Sequence, residues 1–128
     1  MDMVQKASHQ KPVFLDESDV EILTKAKHIL KTSLQNTPNI LELCKRVGMN
    51  KNKLQEGFRI TEGKSIAEYT RTLRMEQTLE LLENSDLSMQ EIAQMVGYHG
   101  VSNFYAVFNR TFGESPAVIQ KMLKDKEN

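Results

Sequence analysis

Laid over itself with a shift of 49 residues, this chain matches an apolar face together with its terminator. Ile40, Leu43, Cys44, Val47 and Gly48 fall on Met89, Ile92, Ala93, Val96 and Gly97. Beyond that glycine the shift becomes 50, and Leu54, Phe58, Gly63 and Ser65 fall on Phe104, Phe108, Gly113 and Ser115. One residue has been inserted into the second turn. Each unit therefore reads as a short helix, a tight turn containing glycine, and a second helix with one apolar stripe, the pattern of a helix-turn-helix. No segment alternates with the period of two of a half-buried strand, so the expected fold class is all-α.

Capping residues divide the rest of the chain. Met1 to Leu15 show no period and read as a linker or tail. Ser18 with Glu21 forms a capping box for a first helix whose Ile22, Ala26, Ile29, Leu30 and Ser33 share a face before Asn36 and Pro38 stop it. Asn39 with Glu42 opens the next helix, which Gly48 ends in a left-handed cap. Asn50 caps a third helix that runs to Gly63. Ser65 with Glu68 starts a long helix on which Ile66, Tyr69 and Leu73 lie opposite Met75, Leu79 and Leu82; covered from both directions, it reads as a bridge that Asn84 to Asp86 closes. Ser88 with Glu91 is another capping box, a further helix runs from Val101 to Phe112, and Pro116 follows the cap Ser115. The expected architecture is about seven helices: a tail over 1–15, a first helix-turn-helix subdomain over 16–64, a bridging helix over 65–84, and a second subdomain with the C-terminal tail over 85–128.

Composition removes several kinds of function. No uncharged apolar run approaches the ~18 residues of a membrane span, and the first residues lack the apolar stretch of a signal peptide, so a cytoplasmic location is expected. Cys44 is the single cysteine, which excludes an internal disulfide, and His9, His28 and His99 have no metal-ligand spacing. Neither a metal nor another cofactor is expected. His99 has no acid, nucleophile or second histidine beside it, and Cys44, which matches Ala93 in the repeat, is expected to be a small buried residue, so the chain does not read as an enzyme. What stays open is whether the two helical hairpins bind nucleic acid or form a protein-interaction module without DNA.

The outer face of the second helix in each unit separates these readings, because a recognition helix presents short polar or flat side chains to base edges. With Leu54 and Phe58 inward, helical geometry turns Asn52, Gln55, Glu56 and Arg59 outward. Asn52 or Gln55 can pair with an adenine edge, Glu56 can accept from a cytosine amino group, and Arg59, Lys51 and Lys53 can reach phosphates. With Phe104 and Phe108 inward, Ser102, Tyr105, Ala106 and Asn109 turn outward. Ser102 and Tyr105 can hydrogen-bond, Ala106 or Val101 can touch a thymine methyl group, and His99 in the turn suits a phosphate. Asn103 and Arg110 complete the second candidate set. The 17 basic and 17 acidic residues cancel overall. Locally, residues 39–65 hold six basic against three acidic residues (6 − 3 = +3), and residues 85–117 hold one against three (1 − 3 = −2).

From about Asn39 to Pro116 the chain resembles the DNA-binding domain of AraC/XylS-type bacterial transcription regulators. The match is clearest from Asp86-Leu87-Ser88 through Ile92-Ala93, Val96-Gly97-Tyr98, Ser102-Asn103-Phe104 and Phe108 to Phe112-Gly113-Glu114-Ser115-Pro116, nearly position for position. Leu54, Phe58, Gly63, Ser65, Tyr69, Arg74, Leu81 and Leu82 extend it upstream. Thr78, Ile66 and Asn109 depart from the family's usual alanine, proline and lysine, and Val101 and Ala106 stand where longer polar side chains are common. The resemblance implies sequence-specific binding of double-stranded DNA in regulating transcription, with RNA polymerase as a further candidate partner and an effector-binding or dimerisation domain outside this stretch. A bridging helix of 18 residues, Ile66 to Glu83, is about 27 Å long at ~1.5 Å per residue, close to the ~34 Å between successive major grooves. Two recognition helices on one face of a duplex, in successive major grooves, are the expected arrangement.

Overall fold

Side-chain caps at the starts of helices and glycines at their ends set the element boundaries. The computed structural model describes residues 13–126, which contain α1 (Glu17–Thr32), α2 (Ile40–Val47), α3 (Lys51–Glu62), α4 (Ile66–Asn84), α5 (Met89–Met95), α6 (Val101–Phe112) and α7 (Pro116–Lys126). Among the described residues every regular element is a helix. Of the expected N-terminal tail, residues up to Pro12 lie outside the described residues, and residues 13–16 are not helical.

Most caps fall where the sequence places them. Asn39 accepts from the Glu42 amide at 2.8 Å, Asn50 accepts from the Lys53 amide at 2.9 Å, and Gly48, Gly63 and Gly113 close their helices with φ of 74°, 74° and 75°. Both bonds of the Ser88–Glu91 capping box form, at 3.1 and 2.9 Å. The first helix differs. Its cap is Asp16, whose carboxylate accepts from the Asp19 amide at 2.9 Å while Asp19 accepts from the Asp16 amide at 3.0 Å. Ser18 instead donates its hydroxyl to Asp16 at 2.7 Å. An ionised carboxylate accepts more strongly than a hydroxyl, and here it moves the helix start two residues upstream.

The described residues form two compact units. One takes the residues up to Ile29 together with Pro38–Ile66; the other takes Leu30–Thr37 and the residues from Ala67 onward. In the first unit Leu23, Ala26, Leu43, Val47, Met49, Leu54 and Phe58 are buried. Leu23, absent from the face expected for α1, lies against Gly57 of α3, where a Cβ would come within 3.0 Å of the Leu23 Cδ1. Gly57, an unfavourable residue inside a helix, is thus explained by close helix packing. Cys44 is only half-buried, a correction to the expectation from its repeat partner, since Ala93 is 2% exposed. It lies about 100° round the helix from Leu43, at the rim of the Leu43–Val47 stripe, and its larger side chain reaches the edge.

The second unit is built around Met75, Leu82, Ile92, Ala93, Val96, Phe104, Val107 and Phe108, with Leu79, Leu87, Tyr98, Phe112, Ile119 and Leu123 packed on them. Rings run along α6, with Phe104 and Phe108 6.0 Å apart and Phe108 and Phe112 4.6 Å apart. On α4, Thr78 stands at zero exposure where the resemblance leads one to look for alanine, and it satisfies its hydroxyl by donating to the Arg74 carbonyl at 2.7 Å. Ile66, Tyr69 and Leu73 are half-buried, while Met75 and Leu82 are buried. No helix of the described residues is long and apolar enough to cross a membrane.

Candidate nucleic-acid interface

In the first unit the candidate surface is the outer side of α3. Leu54, Gly57 and Phe58 are buried, and the same helix leaves Lys51, Asn52, Gln55 and Arg59 exposed and Glu56 half-buried. Among the described residues no hydrogen bond or ion pair engages the side chains of Lys51, Asn52, Gln55 or Arg59. Their amide and guanidinium groups are free to meet acceptors and donors of another molecule. Lys53 is different. Its ammonium lies 3.0 Å from the Asp19 carboxylate, whose side chain is 9% exposed, so its charge is committed within the unit. The sequence has no signal for this pairing, because Asp19 also serves the cap of α1 and its position follows from how α1 lies on α3. Glu62 is likewise paired, with Lys27 at 3.1 Å.

In the second unit α6 buries Phe104, Val107 and Phe108 and exposes Ser102, Asn103, Tyr105, Ala106, Asn109 and Arg110; Val101 is half-buried and His99 is exposed in the preceding turn. The Tyr105 ring rests 5.7 Å from that of Phe104, which steadies it on the surface. No side chain caps α6, because the N-cap position is Gly100. The amides of its first turn therefore have no side-chain acceptor and carry the partial positive charge of a helix N-terminus. Among the described residues no group of three His, Cys, Asp or Glu is placed to hold a metal ion.

Further residues gather at the turn before α6, and of these only His99, as a candidate phosphate contact, and Arg74, as part of the family pattern, are marked in the sequence. Beside the turn lies a concavity of about 470 Å³, walled in part by Gln35, Asn36, Gln90, Gln94 and His99, which offer amide and imidazole donors and no carboxylate. Arg74 reaches from α4 to the turn itself, donating to the Gly97 carbonyl and, at 2.9 Å, to the Thr37 hydroxyl, with its guanidinium 5.4 Å from the centre of the Tyr98 ring. Burial lowers the Arg74 pKa from its ordinary value, with Tyr98 acting the other way. Burial raises that of Tyr98, against the pull of Arg74 and Arg71, so the phenol stays neutral.

Comparison with known proteins agrees with this geometry. A family model described as a helix-turn-helix domain matches residues 43–122. The Msm operon regulatory protein of Streptococcus mutans is 28% identical over 103 residues, which are 80% of this chain and 37% of that protein. An AraC-type DNA-binding-domain regulator from Chromobacterium violaceum has the same fold, with a TM-score of 0.76 at 18% identity over 84% of this chain and 96% of that one. The DNA-binding domain of AdpA, solved in complex with a target DNA, superposes with a TM-score of 0.75 at 25% identity, covering 81% of this chain and 94% of that one. The chain spans less than two fifths of the length of the first curated relatives that it matches. With a helix-turn-helix model covering more than half of it and neighbours of this one architecture, the chain belongs to the AraC/XylS-type family of transcriptional regulators.

Proposed function

We propose that this chain binds double-stranded DNA sequence-specifically, with α3 and α6 entering successive major grooves, and that it does so as the DNA-binding part of a transcriptional regulator working in the cytoplasm. The observation that carries this reading is that both helices hold the same place in a duplicated unit, each anchored by buried aromatic or aliphatic residues and each turning an exposed polar face outward. The likeness to the AdpA domain, whose structure contains a target DNA, supports it. Gln55 and Asn52 read base edges, Arg59 and Lys51 hold phosphates, and Glu56 discriminates at a cytosine. From α6, Ser102, Tyr105 and Asn109 add hydrogen bonds, Ala106 and Val101 add apolar contact, Asn103, Arg110 and His99 face the backbone, and the uncapped first turn receives a phosphate. An effector-binding or dimerisation domain occupies the remaining length of such a regulator, and RNA polymerase is the partner at the promoter.

Selecting bound sequences from a random DNA pool tests the reading. Two short motifs, their centres about one helical turn apart, are the expected result. Recovery of no enriched sequence, at a salt concentration low enough for weak binders to survive, overturns it in favour of a protein-binding role. Replacing Gln55 and Arg59 with alanine at unchanged helicity is expected to weaken binding to the selected DNA by about tenfold or more per residue.

A further inference from the structure

The turn leading into α6 is one residue longer than its counterpart before α3, and the two are closed by different means. Before α3, the Asn50 side chain accepts from the Lys53 amide at 2.9 Å. Before α6, Gly100 has no side chain to offer and His99 is exposed. What holds the longer turn comes from α4. Arg74 donates to the Gly97 carbonyl and to the Thr37 hydroxyl, and its plane lies by the Tyr98 ring. Tyr98 in turn meets Phe104 of α6, ring to ring at 6.0 Å, and Phe104 is fully buried. Gly97 leaves no slack in this joint. With φ at 101°, it is placed so that a Cβ would overlap both the Arg74 Nη1 and the Leu34 carbonyl oxygen.

We propose that Arg74 is a positioning residue for the second recognition helix: by holding Gly97, Thr37 and Tyr98 at once, it fixes the direction in which α6 presents Ser102, Tyr105, Ala106 and Asn109. It acts through the turn and not by touching DNA. A planar guanidinium with a fork of donors can satisfy a carbonyl and a hydroxyl while stacking on a ring; an ammonium cannot do all three. Thr37 belongs to the segment between α1 and α2, so the same side chain also ties that segment to the turn. Keeping a partly desolvated charge here is accounted for by the geometry it imposes, since an apolar residue could fill the space without it.

The inference rests on the DNA-binding reading above, and its test has one arm that needs DNA and one that does not. With the 128-residue chain and its selected site, discrimination is measured as the ratio of Kd for DNA with one motif scrambled to Kd for the intact site. In Arg74→Lys, discrimination at the motif read by α6 is expected to fall from about tenfold or more to less than about threefold, while that at the α3 motif stays within about twofold. Retention of both, or loss of both in parallel, overturns the proposal; the second outcome makes Arg74 a general support of the fold. Without DNA, amide hydrogen exchange over residues 98–104 is expected to speed up by about tenfold in R74K, with α3 unchanged. Exchange unchanged in that segment overturns the proposal even if the chain selects no DNA, in which case the DNA-binding reading fails separately. Arg74→Ala, with helicity measured beside it, is expected to show the same pattern more strongly, and Thr37→Val, which removes one of the three partners, a weaker form of it.

Discussion

Gly48 and Gly97 hold the same position in their units, yet the space around them differs. A Cβ at Gly48 would meet nothing within 4 Å, whereas one at Gly97 would overlap backbone and guanidinium. Gly48→Ala is therefore expected to cost about 1–2 kcal/mol, the strain of a left-handed residue alone, and Gly97→Ala distinctly more because it must also displace the Leu34 carbonyl. Denaturant unfolding of the two variants checks the order; equal losses would remove the close approach as the cause. Lys51 and Lys53, two residues apart on α3, are expected to behave as differently. Lys51 is exposed, and its replacement by alanine should leave stability unchanged and make the slope of log affinity against log salt shallower by about 1. Lys53 is bound to Asp19, so Lys53→Ala should lower stability and leave that slope nearly as it was.

At the scale of helices, the short helices α2 and α5 are capped by side chains at their first turns, and α6 is not. Ser88→Ala breaks the capping box of α5 and is expected to cost about 1 kcal/mol in thermal or denaturant unfolding. That box also carries a pH dependence. The Ser88 amide and then its hydroxyl hold the Glu91 carboxyl below its ordinary value of 4.5, so the folded chain binds this proton less readily than the unfolded chain. The contribution is complete above about pH 4.5 and is lost as pH falls through the lowered folded value. Glu91→Gln should flatten that part of the acid limb of the stability curve. For α6 the expectation is reversed. Gly100 has ordinary extended φ and ψ of −133° and 138° and open space around it, so Gly100→Ser can supply the missing cap and raise stability by a few tenths of a kcal/mol. If the first-turn amides receive a phosphate, the same variant binds the selected DNA less well; unchanged affinity would show that those amides are not used.

For the molecule as a whole, the cancelling charges hide two units of different character, +3 over residues 39–65 and −2 over residues 85–117. Counterion release should then come mainly from the first unit. Affinity is expected to fall with salt, with a slope smaller than that of a basic protein making the same number of contacts, and a binding curve almost independent of salt would overturn this division. The α4 helix, 19 residues, is about 28 Å long at ~1.5 Å per residue. On the DNA-binding reading proposed above, lengthening it by a full turn should shift the preferred motif spacing; an unchanged spacing would mean that something else sets it.

The all-helical class, the duplicated unit, nearly every helix end and the outward faces of α3 and α6 are legible in the residues alone. All of these follow from local periodicity, capping chemistry and the need of each apolar stripe for cover, which neighbouring residues encode. Asp16 in place of Ser18 at the start of α1 is a local misreading, a contest between two adjacent acceptors that carboxylate charge decides. Helix packing is what pairs Lys53 with Asp19, sets Leu23 into the hollow of Gly57, joins residues 30–37 to the second unit and brings Arg74 onto the turn at Gly97. In each of these the partners come from different elements, 20 or more residues apart in the chain, and a pattern with a period of three or four residues carries no record of them. Charges and hydrogen bonds act over a few ångströms of space, so they are settled by how helices lie against one another after the helices themselves have been specified.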